Sequence, residues 1–344
     1  MTGTDKHLLT AGATILEALE RLNAPGPKLT LFVVDADGRP IGSVTDGDVR
    51  RGLIGGHTLS DPILDIMNRS PHSLVDGVEA IDQLQTLRDL GIHLLPIVDG
   101  SGRLVRIVDI DEVRSIIPVE ALIMAGGRGE RLRPFTDEVP KPLIEVGGRP
   151  IIEHTLELVK RHGIRNVSIS VNYLKEQIIN HLGDGSRFGT NIRYVHEDMP
   201  LGTAGALALL GEPMHETLLL MNSDLLTDAP LDRMYQRFKE SGAQMAVATK
   251  EHQVSLPYAV MDLKGDRIQS FREKPTLTYP CNAGIYMMQR SVTQLVPKGI
   301  AYNATDLVQD LLDKGDKLVA FPLAGYWLDI GKHDDLQRAR RDHG

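Results

Sequence analysis

The chain has 344 residues, 42% hydrophobic and 24% charged, a globular composition with room for about two domains that excludes disordered, collagen-like and disulfide-stapled classes. Lys and Arg total 38 against 46 Asp and Glu, a formal charge of −8, which argues against a broad basic face for nucleic acid or a membrane surface and leaves any anion to a few placed cations. The single cysteine, Cys281, excludes internal disulfides and Cys-based zinc sites, and with no signal-like or membrane-spanning run the expected location is cytoplasmic.

In chain order, the first feature is an internal repeat. Residues 33–50 (VVDADGRPIGSVTDGDVR) recur 64 positions later at 97–114 (IVDGSGRLVRIVDIDEVR). Each copy predicts a strand, an Asp-x-x-Gly turn, a second strand and the start of a helix, because Gly accepts a positive φ and Asp caps the reversal. Ahead of each copy lies a helical pattern, Ile15, Leu16, Leu19 and Leu22 in the first and Ile81, Leu84, Leu87 and Leu90 in the second. Taken on these residues alone, the module is a duplicated α/β unit whose role is either structural or ligand-binding.

The arrangement resembles a tandem pair of cystathionine β-synthase (CBS) domains over residues 1–117, with repeats at about 8–68 and 72–117. Such pairs bind an adenine nucleotide between repeats and regulate an attached enzyme. They also associate face to face, so the resemblance implies a homodimer or homotetramer. The family motif G-x-x-T-x-x-D stands here as Gly42 to Asp48, which implies that Thr45 meets a phosphate and Asp48 a ribose. In the second copy the matching positions are Arg106, Asp109 and Glu112, so one intact site is expected, with Arg106 either reaching a phosphate or lying solvated.

Pro118 breaks any continuing helix, and strand and helix patterns then alternate. Strands are predicted at Val119 to Met124, Val167 to Val171, Ile192 to His196 and Leu218 to Met221, and helices at Ile151 to His162, Leu174 to Leu182 and Ala204 to Leu210. Alternation of this kind implies an α/β, Rossmann-like, mostly parallel sheet over residues 118–344, with ligands at the carboxyl ends of its strands. Acidity separates as well: residues 1–118 carry 11 basic and 17 acidic side chains, a charge of −6, and the remainder carries −2.

After the first of these strands comes Ala125-Gly126-Gly127-Arg128-Gly129-Glu130-Arg131-Leu132-Arg133-Pro134-Phe135-Thr136, followed by Pro140-Lys141-Pro142. It is not the dinucleotide fingerprint G-x-G-x-x-G, because counting from Gly127 the third position is Leu132, and the Lys-Ser/Thr of a P-loop is absent. Glycines here let backbone amides approach phosphate oxygens, and Arg131 and Lys141 add a planar fork and a point charge.

The pattern closely resembles the nucleotide loop of sugar-1-phosphate nucleotidyltransferases, and later motifs follow in that family's order: Glu197 with Leu201-Gly202-Thr203-Ala204-Gly205, Asn222-Ser223-Asp224, Arg272-Glu273-Lys274-Pro275, Asn282-Ala283-Gly284, and Trp327-Leu328-Asp329-Ile330-Gly331. The resemblance implies attack of a sugar 1-phosphate on the α-phosphorus of an NTP. Arg131 would meet the pyrophosphate, Lys141 the α-phosphate and Lys274 the sugar phosphate. Glu273, Asn282 and Gly284 would lie on the sugar side, and Ala125, Gly126, Gly127, Gly129, Gly202 and Thr203 around the nucleotide. Asp224 and Asp329 would hold Mg²⁺.

The Leu-Gly-Thr-Ala-Gly-Ala-Leu segment looks more like mannose-1-phosphate guanylyltransferases than thymidylyltransferases, and a CBS pair fused to such a domain resembles guanylyltransferases that supply GDP-glucosamine for legionaminic acid. GTP is therefore the expected donor and UTP the alternative, with a non-catalytic nucleotide sensor as a third reading. The twelve histidines show no H-x-H or H-E-x-x-H spacing, so no zinc site is expected. His333 is expected on the surface.

Overall fold

A computed structural model describes residues 5–23, 28–212 and 214–344. The chain divides into two compact units, Met1–Pro118 and Val119–Gly344.

The first unit holds two small sheets. One is built from β1 (Leu8–Thr10), β2 (Thr30–Val34) and β3 (Pro40–Thr45), accompanied by α1 (Ile15–Leu22) and α2 (Asp46–Ile54). The other combines β4 (Leu74–Val75), β5 (Leu94–Val98) and β6 (Leu104–Asp109) with α3 (Gln83–Asp89). Both Asp-x-x-Gly turns form as expected. The Asp35 carboxylate accepts the amides of Asp37 and Arg39, that of Asp99 accepts those of Ser101 and Arg103, and Gly38 and Gly102 take φ of +79° and +83°.

The second copy departs from its predicted helix. In the first copy Thr45 and Asp48 cap each other and launch α2. In the second, Asp109 replaces the threonine, accepts the Asp111 amide and pairs with Lys28. The chain then turns, its carbonyls at Ile110 and Val113 taken by the Arg88 guanidinium at 2.9 and 2.6 Å, and Ile116 bridges Ala80 instead of continuing a helix.

The second unit contains β7 (Val119–Met124), β8 (Glu145–Val146), β9 (Arg149–Pro150), α4 (Ile151–Arg161), β10 (Asn166–Val171), α5 (Lys175–Leu182), β11 (Asn191–His196), β12 (Thr217–Asn222), β13 (Leu225–Thr227) and α6 (Leu231–Ser241). There follow β14 (Met245–Ser255), β15 (Val260–Lys264), β16 (Arg267–Arg272), β17 (Thr276–Gln289), α7 (Ala304–Asp313), β18 (Leu318–Pro322), β19 (Trp327–Asp329) and α8 (His333–Asp342). Seven strands form the central sheet in the order β11-β10-β7-β12-β17-β14-β18, parallel except where β17 pairs with β12 and β14. Sheets of this kind are covered on both faces, which explains why β7 is apolar except for Glu120 and is buried along nearly its whole length. Leu122, Leu218, Leu220 and Met288 from three neighbouring strands share one core cluster with Leu307 and Leu311 of α7, each such side chain contributing about 1.5–3 kcal/mol by burial.

The predicted helix at Ala204 to Leu210 is instead a 3₁₀ segment, Gly205–Leu209. The amides of Ala204 and Gly205 both bond the Tyr302 carbonyl, so tertiary bonds replace the helical ladder. Among the described residues, no helix is long and apolar enough to cross a membrane.

Candidate active site

From β7 the sheet grows outward on one side through β10 and β11 and on the other through β12, so its order reverses around the carboxyl end of β7. Open α/β sheets bind ligands at such a point. A cleft of about 640 Å³ opens there, lined by the glycine-rich loop after β7, the Glu197 to Thr203 segment after β11, and Asn222 to Asp224 at the end of β12.

The loop is fixed at both ends. The Ala125 amide bonds the Ser170 carbonyl, and the Thr136 hydroxyl donates to the Gly129 carbonyl at 2.9 Å. Gly129 has a φ of +62°, and a Cβ there would lie 2.9 Å from the Thr136 methyl. A Cβ at Gly126 would lie 3.0 Å from the Glu197 carboxylate, whereas Gly127 faces open space. The backbone therefore forms the cleft wall where the expected nucleotide residues lie.

Arg131 stands on a 3₁₀ turn, Glu130–Leu132, anchored by fully buried Leu132 against Leu328 and Ile330. Its guanidinium borders Gly331, both of them lining the cleft. Lys141 opens the 3₁₀ turn Lys141–Leu143 and forms an ion pair with Asp224. The antiparallel pairing of β13 with β19 sets Leu225 opposite Asp329, and the Ile330 amide bonds the Asp224 carbonyl. Two carboxylates far apart in sequence thus become neighbours.

Burial first, then the negative charge of Asp224, raise the pKa of Asp329 above the ordinary carboxylate value, opposed by Lys141 and Arg131. Asp224 Oδ1 and Asp329 Oδ1 are both buried without a hydrogen-bond partner. Two orphaned oxygens beside two cations fit a small hard cation that keeps most of its own water and shares phosphate oxygens.

A sequence model of the nucleotidyl transferase family matches residues 120–343, and one of the CBS domain matches residues 4–55. The chain belongs to the nucleotidyl transferase family, with an N-terminal CBS domain.

This nucleotidyl transferase is 33% identical over 226 residues to the mannose-1-phosphate guanylyltransferase catalytic subunit beta of Danio rerio, covering 63% of this chain and 62% of that protein. It is 33% identical over 243 residues to the UTP–glucose-1-phosphate uridylyltransferase of Synechocystis sp., covering 65% and 63%. The chain thus spans just under two thirds of the length of these relatives. Its fold matches a putative glucose-1-phosphate thymidylyltransferase from Bacillus anthracis, with a TM-score of 0.53 and 25% identity over 65% of this chain and 95% of that one. It also matches HddC from Yersinia pseudotuberculosis, with a TM-score of 0.51 and 24% identity over 65% and 99%.

Within the nucleotidyl transferase unit, the expected sugar-side residues are less gathered than the nucleotide side. Glu273 and Lys274 are exposed in the turn between β16 and β17 and do not line the cleft; Lys274 has a φ of +42°. Asn282 accepts the Gly284 amide and donates to the Tyr286 hydroxyl, and a Cβ at Gly284 would meet cleft-lining Asn222 at 2.7 Å. Gly202 lines the cleft with a φ of +76°, and the neighbouring Thr203 hydroxyl accepts the first amide of α7.

Three residues acquire parts their sequence context does not reveal. Glu197 is buried, with Oε2 accepting the Leu201 amide at 3.0 Å and Oε1 unpartnered beside Gly126. Arg128, the variable position of the glycine loop, lines the cleft with its guanidinium 5.9 Å from the Tyr173 ring centroid. His333 is half-buried rather than a free surface residue: its Nε2 bonds the Arg133 carbonyl at 2.8 Å and its ring packs 5.5 Å from Phe135. In the N-terminal unit, Arg106 pairs with Asp76 at 3.0 Å.

Proposed function

We propose that this nucleotidyl transferase joins the nucleoside monophosphate of an NTP, GTP in preference to UTP, to a sugar 1-phosphate of the mannose-1-phosphate or glucosamine-1-phosphate type, releasing pyrophosphate. The observation that carries the reading is the convergence of Arg131, Lys141 and Asp224 on one cleft walled by the glycine-rich loop, with Asp329 close enough to feel all three charges. A sugar phosphate is already an anion near neutral pH, so its oxygen needs no general base to attack the α-phosphorus. The O–Pα bond forms as the bond to the β-phosphate oxygen breaks, and the task of the site is to align two polyanions and stabilise the charge that leaves.

Arg131 suits the departing pyrophosphate, since its fork matches two phosphate oxygens. Lys141 suits the α-phosphate, exchanging its Asp224 partner for a ligand oxygen. Asp224 and Asp329 would hold Mg²⁺, which when bound supplies countercharge to phosphate oxygens. Lys274 is assigned to the phosphate of the sugar 1-phosphate and Glu273 to its sugar hydroxyls, with Asn282 and Gly284 supporting the sugar-side wall.

The preference for GTP rests on Glu197. A carboxylate only accepts hydrogen bonds, and its free Oε1 in the cleft wall calls for a donor. Guanine presents adjacent N1–H and N2–H₂ donors, whereas uracil presents one N–H flanked by carbonyls. The similarity to guanylyltransferases supports the same choice, and the uridylyltransferase relative keeps UTP as the alternative. Residues 72–117 complete a CBS pair in this reading, and Thr45 and Asp48 at the start of α2 take an adenine nucleotide that sets the rate. The reaction is placed in the cytoplasm.

The test is pyrophosphate release from each of four NTPs with mixed hexose 1-phosphates and Mg²⁺. GTP should give the highest kcat/KM, and Glu197→Gln should erode that preference. Lys141→Ala or Asp224→Asn should lower kcat by about 10²–10³-fold with an unchanged melting curve. Near-normal turnover in either variant overturns the site, and no release with any pair leaves a nucleotide sensor.

A further inference from the structure

Arg131 lines the cleft without a bond of its own. Among the described residues its guanidinium makes no hydrogen bond and no ion pair; it lies beside the backbone of Gly331, where a Cβ would stand 3.4 Å from Nη2. A long side chain in that state has several rotamers open to it, so its reach into the cleft is set by the backbone that carries it. Whatever holds that backbone is part of the geometry of the site.

The hold comes from α8. At its start, His333 Nε2 stands 2.8 Å from the carbonyl oxygen of Arg133, two residues beyond Arg131. A carbonyl only accepts, so Nε2 carries the proton and donates. Leu132, between the two arginines, is fully buried in one cluster with Leu336 of the same helix. Phe135 completes the grip, its ring centroid 5.5 Å from that of His333 and 5.7 Å from the guanidinium carbon of Arg340. His333 and Arg340 are seven residues apart and so share one face of α8.

The geometry points to His333 as a positioning residue for the reaction: its Nε2–H fixes the Arg133 carbonyl, and with it the turn from which the Arg131 guanidinium reaches the leaving pyrophosphate. This rests on the role proposed above for Arg131. His333 does not itself line the cleft. Its bond ties the loop of Arg131 to the segment that carries Asp329 four residues earlier, so guanidinium and carboxylate keep one spacing while the arginine side chain stays free to meet phosphate oxygens. Burial of Leu132 anchors the turn but is non-directional, whereas a hydrogen bond fixes an orientation. Charge on the leaving group develops only as its bond breaks, and a donor serves that moment only if it is already in place.

A double-mutant cycle in the full chain tests the link, read as pyrophosphate release with Mg²⁺ and the NTP and hexose 1-phosphate that serve the parent best. His333→Ala should lower kcat about 10–10²-fold. His333→Gln, whose amide donor falls where Nε2–H lies, should recover most of that loss, and His333→Asn, whose shorter amide does not reach, should not. In an Arg131→Ala background His333→Ala should cost no more than about twofold. An equal loss in both backgrounds, or rescue by Asn as full as by Gln, overturns the proposal. A measurement without turnover separates this from failure of the transferase reading. The side-chain Nε–H resonance of Arg131, identified by its disappearance in Arg131→Ala, should move in His333→Ala and return in His333→Gln. A resonance that stays in place overturns the positioning role. One that moves, in a chain that releases no pyrophosphate from any NTP, upholds the positioning and overturns only the transferase reading.

Discussion

Asp329 is held in a conflict that function explains better than stability does. Its carboxylate is buried beside the charge of Asp224, so its proton leaves at a higher pH than for an ordinary aspartate. A raised value means that the neutral form favours folding: that contribution is complete below the ordinary carboxylate range and is lost as pH rises through the raised value. Asp329→Asn removes the conflict. Without divalent cation, its melting temperature should equal or exceed the parent's at neutral pH, while kcat falls about 10²–10³-fold; a clear loss of melting temperature would show that the carboxylate is structurally required. If Asp224 and Asp329 hold Mg²⁺ as proposed, the same proton competes with it, so kcat/KM should fall on the acid side through the Asp329 pKa, and raising Mg²⁺ should move that limb to lower pH.

At the scale of elements, the capping box of α2 gives a direct test. Thr45→Ala breaks the reciprocal bonds with Asp48 and should cost about 1 kcal/mol, seen as a fall of about 4–8 °C in the melting of the N-terminal unit if it melts separately as a small domain, with Thr45→Ser largely restoring it. The comparison of the two repeats shows what local sequence can and cannot reveal. The turns were legible because Asp35, Gly38, Asp99 and Gly102 act within five residues. The second helix was not formed, because Asp109 answers to Lys28 and the following carbonyls to Arg88, partners supplied from elsewhere in the fold. The strands β7 and β12 were legible as mainly apolar stretches and β10 as Val and Ile alternating with Ser, whereas the 3₁₀ segment at Gly205–Leu209 depends on the Tyr302 carbonyl nearly a hundred residues away. Arg131, Lys141, Asp224 and Asp329 each stand in a short motif visible in the sequence, and the fold brings their charges together. The free oxygen of Glu197 and the bond from His333 exist only once distant segments meet.

For the whole molecule, the chain divides into the compact units Met1–Pro118 and Val119–Gly344, and the greater acidity, −6 of the total −8, lies in residues 1–118. Arg128, Arg131 and Lys141 thus give the cleft cations by position and not by overall charge. If the first unit takes an adenine nucleotide, AMP, ADP or ATP should shift the melting temperature or the rate of pyrophosphate release, and unchanged values for all three remove the regulatory reading. The β13/β19 pairing has a kinetic consequence. Asp224 and Asp329 meet across about a hundred residues of chain, and contacts of such long sequence separation slow folding. A cut after Asp224 would leave that meeting to noncovalent contacts alone, while the pairing of β7 with β10 and β12 lies wholly before it.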